Sequence, residues 1–135
     1  MSPQFRKFKK EYAHELLSIA EGDFGSATAL FQSKLGRSEN ILYHCQQSIE
    51  KILKAVICFN NKPIHITHDL EVLASMVEDL NASESLPHAH SIGSLNQYAT
   101  IRRYEEGLEE LSHDDFKRCL DINVEILNWA KKIIS

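Results

Sequence analysis

Ile41-Leu42-Tyr43-His44-Cys45-Gln46-Gln47-Ser48-Ile49-Glu50-Lys51-Ile52-Leu53-Lys54-Ala55-Val56-Ile57-Cys58-Phe59 is the stretch that decides the fold. Ile41, Cys45, Ile49, Ile52, Val56 and Phe59 recur at steps of three or four, the period of the buried side of an amphipathic helix. Tyr43, Gln47, Glu50 and Lys54 make a second stripe beside it. Scattered Lys and Glu suffice to keep a helix face in water, so an aromatic ring, adjacent amides and an acid-base pair mark this stripe as a candidate binding surface. It also has a purely structural reading. Gln46 and Gln47 would then bond across a helix interface, and Glu50 with Lys54 would be an ordinary i,i+4 pair contributing a few tenths of a kcal/mol.

Working outward, Leu16, Ile19, Ala20, Phe24, Ala27, Leu30 and Phe31 hold a helical period from about Tyr12 to Ser33. Gly22 and Gly25 interrupt it, each costing about 1 kcal/mol against alanine, which predicts close approach of another helix or a bend. Gly36 suits the end of this helix and Ser38 the start of the next. The short break between them predicts antiparallel packing. Asn60-Asn61-Lys62-Pro63 stops the second helix. Thr67 then reads as the N-cap of a short helix over His68 to Leu80, with Leu70, Leu73, Val77 and Leu80 inward. Asp69 in its first turn suits the positive end of the helix dipole.

Pro87 starts a fourth helix through Ile92, Leu95, Tyr98 and Ala99 to about Arg103. Glu105 to Leu111, with Gly107, is polar enough to be expected mobile. Ser112-His113-Asp114-Asp115 resembles a capping box, with Asp115 in place of the usual Glu or Gln. It opens a last helix that buries Phe116, Leu120, Val124, Leu127 and Ala130, with Trp129 on a flank. No run of alternating β-branched residues lies between hairpin turns, so no sheet is expected. The expectation is an all-α, up-and-down antiparallel bundle of about five helices.

The chain has 135 residues and a net charge of −4. That length predicts one domain over residues 1–135 with a core large enough to stand unaided. The charge argues against holding nucleic acid by bulk electrostatics, which needs a dense basic face. Charge is uneven, however: Arg6, Lys7, Lys9 and Lys10 make residues 1–10 a basic extension, while Glu105, Glu106, Glu109, Glu110, Asp114 and Asp115 form an acidic run. Cys45, Cys58 and Cys119 sit among apolar neighbours without a Cys-x-x-Cys spacing and read as reduced, buried thiols. Neither a signal-peptide pattern nor an apolar run near the ~20 residues of a membrane span occurs, so a cytoplasmic protein without a membrane partner is expected.

The string His44, Gln46, Gln47, Glu50, Lys51, Lys54 resembles the His-x-Gln-Gln-x-x-Glu-Lys-x-x-Lys core of the HEPN (higher eukaryotes and prokaryotes nucleotide-binding) family. Thr67-His68-Asp69-Leu70 is similar to the family's next helix start, and Arg103-Tyr104 to a pair closing a later helix. Together they span about Ala13 to Ile133. The resemblance implies a HEPN-like helical bundle, usually a homodimer, in proteins that bind nucleotides or RNA or accompany a separate small nucleotidyltransferase in two-component, toxin-antitoxin-like systems. The functional reading puts Tyr43, Gln47, Glu50, Lys51 and Lys54 on a cleft between subunits, the amides on a base edge or partner and the lysines on phosphate, with Arg103 as a phosphate fork and Tyr104 as a stacking ring, and counts His44 and His68 among the ligand- or partner-binding residues.

Catalytic members carry an Arg and a His separated by four to six residues on a late helix, for metal-free RNA cleavage in which His moves the proton and Arg stabilises phosphorane charge. After Arg102 and Arg103, that place is taken by Gly107, Leu108, Glu109 and Glu110, and His113 comes too late. This leans against an enzyme. A ribonuclease would have to combine Arg103 with His44 or His68. Arg37 and His44 share the spacing but lie at the wrong place in the chain. A third reading is a dimer without a ligand. His65-x-x-His68-Asp69 and His88-x-His90 could each offer one edge of a metal site, but neither supplies four ligands, and loop and capping roles are expected. His14 and His44 read as partly buried helix residues, and no Gly-rich phosphate loop or cofactor fingerprint occurs.

Overall fold

The computed structural model describes residues 4–33, 38–80, 84–99 and 113–134. Among these residues the fold is all-α: α1 (Tyr12–Ser33), α2 (Ser38–Phe59), α3 (Leu70–Glu78), a 3-10 helix (Ile92–Ala99) and α4 (His113–Ile133). One minimal sheet accompanies them, with β1 (Phe5–Arg6) antiparallel to β2 (Ile64–His65). The Arg102-Arg103-Tyr104 segment, Gly36, Arg37, the stretch Glu105 to Leu111 and Ser112 all lie outside the described residues.

Helix α2 is the axle of the fold, packed by α1, α3, the 3-10 helix and α4. Of the expected stripe Ile41, Cys45, Ile49, Ile52 and Val56 are buried and Phe59 half-buried, and Leu42, Gln46, Ser48, Glu50, Leu53, Ala55, Ile57 and Cys58 are buried with them. A helix enclosed from several sides has no single wet face, so polar residues enter its core and must be satisfied there. Ser48 Oγ donates to the Ala20 carbonyl at 2.8 Å and accepts from Asn123 Nδ2 at 3.0 Å. Contacts between α1 and α2 pair rising with falling numbers, Ala20 with Ser48 and Asp23 with His44, so the two run antiparallel as expected.

Several local expectations are corrected. Ile19 is 39% exposed, while Ala13 and Leu17 are buried in its stead. Among the described residues Gly22 and Gly25 approach no other helix, since a Cβ added at either meets nothing within 4 Å, which leaves the alternative of a bend. Asp69 caps α3 in place of Thr67, its carboxylate accepting the Glu71 N–H at 2.9 Å, and Thr67 Oγ1 instead accepts the Asp69 N–H at 3.1 Å. The helix accordingly starts two residues later than expected and ends at Glu78.

The fourth helix is a turn followed by a 3-10 segment. Ser91 Oγ donates to the His88 carbonyl and Ser94 Oγ to that of Ser91 at 2.7 Å, adding to the backbone N–H bonds those carbonyls already accept in the turn. His88 opens this turn at φ +58°, and its ring contacts the Glu125 carboxylate of α4. Trp129 is in the core, not on a flank: it is 4% exposed, and its indole N–H donates to the Glu84 carbonyl at 3.1 Å, which removes the cost of burying the ring's polar end. No helix of the described residues is long and apolar enough to cross a membrane.

Candidate functional site

Residues four apart on α2 lie one above the other, so Gln46 and Glu50 meet the same incoming segment. That segment is Thr67-His68-Asp69-Leu70. Gln46, fully buried, donates from Nε2 to the His68 carbonyl at 3.3 Å and accepts from Gln47 Nε2 at 2.8 Å. Glu50, also fully buried, takes the His68 ring: Nδ1 stands 2.9 Å from Oε1. An ionised carboxylate only accepts, so Nδ1 carries the proton. The other oxygen, Oε2, is 3.2 Å from Lys51 Nζ and 3.1 Å from Lys54 Nζ. Burial pushes the Glu50 carboxyl up, but Lys54, the His68 hydrogen bond and Lys51 outweigh it and hold it below its ordinary value.

Two functions are thereby separated within one motif. Gln46, Gln47 and Glu50 are engaged with one another and with His68, which is the structural reading of that part of the stripe. Glu50 faces the interior and offers no free oxygen to a ligand. Lys51 and Lys54, with side chains 25% and 16% exposed, are anchored on it and still reach solvent. His44 pairs with Asp23 of α1 at 3.2 Å, and its ring meets that of Tyr43 edge-on. Arg103 and Tyr104 lie outside the described residues, so their relation to this cluster is not part of the structure.

Asn96 is a residue that sequence reasoning missed. Its Oδ1 accepts the Leu70 N–H at 2.8 Å and its Nδ2 donates to Asp69 Oδ1 at 2.8 Å, so the 3-10 helix clamps the start of α3. Nothing in the sequence around Asn96 marks it.

Lys51 and Lys54 open onto a groove of about 260 Å³ whose remaining walls include Arg6, Phe8, Tyr12, Ile19, Ile64 and Ile66. The N-terminal extension is seated there by β1–β2 pairing, by Cys58 Sγ against the Lys9 carbonyl at 3.2 Å, and by Lys10 over the Phe59 ring at 4.6 Å. Phe8 and Tyr12 were also missed as groove walls, and Arg6 was legible only as part of the basic run, because a two-residue strand is too short to carry a period. The groove joins three cations to an apolar floor, an arrangement suited to an anionic group attached to an apolar body.

Comparison with known proteins agrees with this architecture. The HEPN domain family model matches residues 13–133. An archaeal HEPN homologue of known crystal structure superposes with a TM-score of 0.68 at 21% identity, covering 91% of this chain and 98% of its own. Among curated proteins none matches the chain.

Proposed function

Because this chain belongs to the HEPN domain family, we propose that it is a non-catalytic binding subunit of the HEPN kind, taking nucleotides or nucleic acid and paired, as a homodimer, with a separate small nucleotidyltransferase in a two-component system. The single observation that carries the binding reading is the charge count at Glu50. Two lysines share one carboxylate, and both open on a groove that also holds Arg6. One negative charge against three positive ones leaves an excess of cation held in place by a buried anchor, which favours a phosphate. The non-catalytic reading rests on the sequence, where Gly107, Leu108, Glu109 and Glu110 stand in place of the late-helix histidine.

Isothermal titration of the full chain at low and moderate salt, with a nucleotide panel and a single-stranded RNA, tests this reading. Binding that weakens with salt, falls in Lys51→Gln and returns in Lys51→Arg is the expected result. Absence of binding to every nucleotide and to RNA overturns it, and metal-free RNA cleavage by the wild type replaces it with the enzyme. Light scattering tests the dimer, and co-purification with the product of a neighbouring nucleotidyltransferase gene tests the pairing.

A further inference from the structure

The family match begins at residue 13, yet three walls of the groove come from before it: Arg6, Phe8 and Tyr12. Arg6 lies over the Phe8 ring, 5.0 Å from its centroid, and Phe8 stacks on Tyr12 at 5.1 Å and 22°. The result is a ladder of one guanidinium and two rings running along the groove, ending on a tyrosine that is 37% exposed. Ile19 and Ile66, 39% and 59% exposed, stand beside Tyr12, so three of the large apolar residues left in water share this one recess. In the same wall, His65 Nδ1 is buried with no hydrogen-bond partner among the described residues.

From this we infer that the N-terminal extension, with Tyr12 at the head of α1, completes a pocket for a single nucleotide, with Arg6, Lys51 and Lys54 on its phosphate and Tyr12 with Ile66 against its base. The inference rests on the binding reading above and narrows it. A cation cluster alone would take any phosphate, including a polynucleotide backbone. An apolar floor carrying two aromatic rings next to the cations selects a ligand that carries both an anionic head and a ring, because each half alone leaves the other half of the groove in water. A volume of about 260 Å³ accommodates one such unit. Stacking on an exposed aromatic is indifferent to base identity, so purine and pyrimidine nucleotides should differ little.

The test is isothermal titration of the full chain with AMP, CMP, adenosine, inorganic phosphate and a twelve-nucleotide RNA. AMP and CMP are expected to bind within about fivefold of each other, and adenosine and phosphate each at least about tenfold more weakly than AMP. Arg6→Gln, at an exposed position that does not endanger folding, should weaken AMP about tenfold, as should Tyr12→Ala. If Tyr12→Ala does not fold, Tyr12→Leu, which keeps bulk and loses the ring, serves in its place. AMP binding that ignores both Arg6 and Tyr12 overturns this inference while the lysine-based binding reading stands. RNA binding without mononucleotide binding does the same. Silence toward every ligand removes both.

Discussion

Oε1 of Glu50 accepts the Nδ1 proton of His68 at 2.9 Å, while Lys51 and Lys54 share Oε2, so a carboxylate with no solvent exposure fastens the central helix to the loop that opens α3. Gln46, one turn earlier, holds the backbone of the same histidine. Ring and carbonyl of one residue are thus gripped by two side chains of one helix face.

Replacing Glu50 by Gln keeps the volume and removes the charge. The three bonds to the carboxylate weaken or vanish, and Lys51 and Lys54 lose their counter-charge. Both lysines keep a route to water, which limits the loss to about 1–3 kcal/mol. Urea unfolding followed by circular dichroism reads it. Wild-type stability in Glu50→Gln would mean that the cluster contributes only packing.

Acid should act through the same residue. The folded Glu50 titrates below its ordinary value of 4.5, so on acidification the unfolded chain takes up this proton first. Its contribution is complete above that value and is lost as pH falls through the lower folded one. Unfolding free energy measured across the acid range should therefore drop less steeply in Glu50→Gln than in the wild type, and parallel curves would contradict the assignment.

Asn96→Ala should expose a second joint. It strands the Leu70 N–H, on a residue with no exposure, and deprives Asp69 of one donor, at a cost of about 1–3 kcal/mol. Asp69→Ala removes the cap itself, at about 1 kcal/mol. Hydrogen exchange gives the sharper readout: amides at the start of α3 should lose protection in Asn96→Ala while those of α2 keep theirs.

The single tryptophan, Trp129, reports on the core. At 4% exposure its fluorescence should be blue-shifted in the folded chain and resist acrylamide, with both properties lost on unfolding. Trp129→Phe keeps the ring's packing and forfeits the bond to the Glu84 carbonyl, an expected loss of about 1 kcal/mol in urea unfolding.

Thiol chemistry checks the seat of the N-terminal extension. Burial pushes all three cysteines up, Cys119 to about 12, with Cys45 raised further by its neighbour Cys119. Little thiolate forms near neutrality, so a disulfide reagent should find the folded chain slow to react. Cys58, covered by the Lys9 carbonyl, should be first to label when the extension lifts. Equal rates at all three positions would mean labelling through global unfolding.

Much of the helical order was legible in the sequence because it is local. Ile41, Cys45, Ile49, Ile52 and Val56 recur at the helical period whatever they pack against, and the Gln46-to-Lys54 motif sits within three turns of one helix. What the sequence could not divide was that motif's labour, since Gln47, Glu50 and Lys51 look alike as polar residues on a helix. Only the arrival of His68 on α2 made Glu50 an interior anchor and left Lys51 and Lys54 facing the groove. Asn96, Trp129, Arg6 and Phe8 were illegible for the same reason. Asn96 acts 26 residues away from Leu70, and Trp129 is satisfied by a carbonyl 45 residues distant. Periodicity fixes which side of a rod is oily. Which buried charge meets which partner depends on contacts that exist only once the rods are packed.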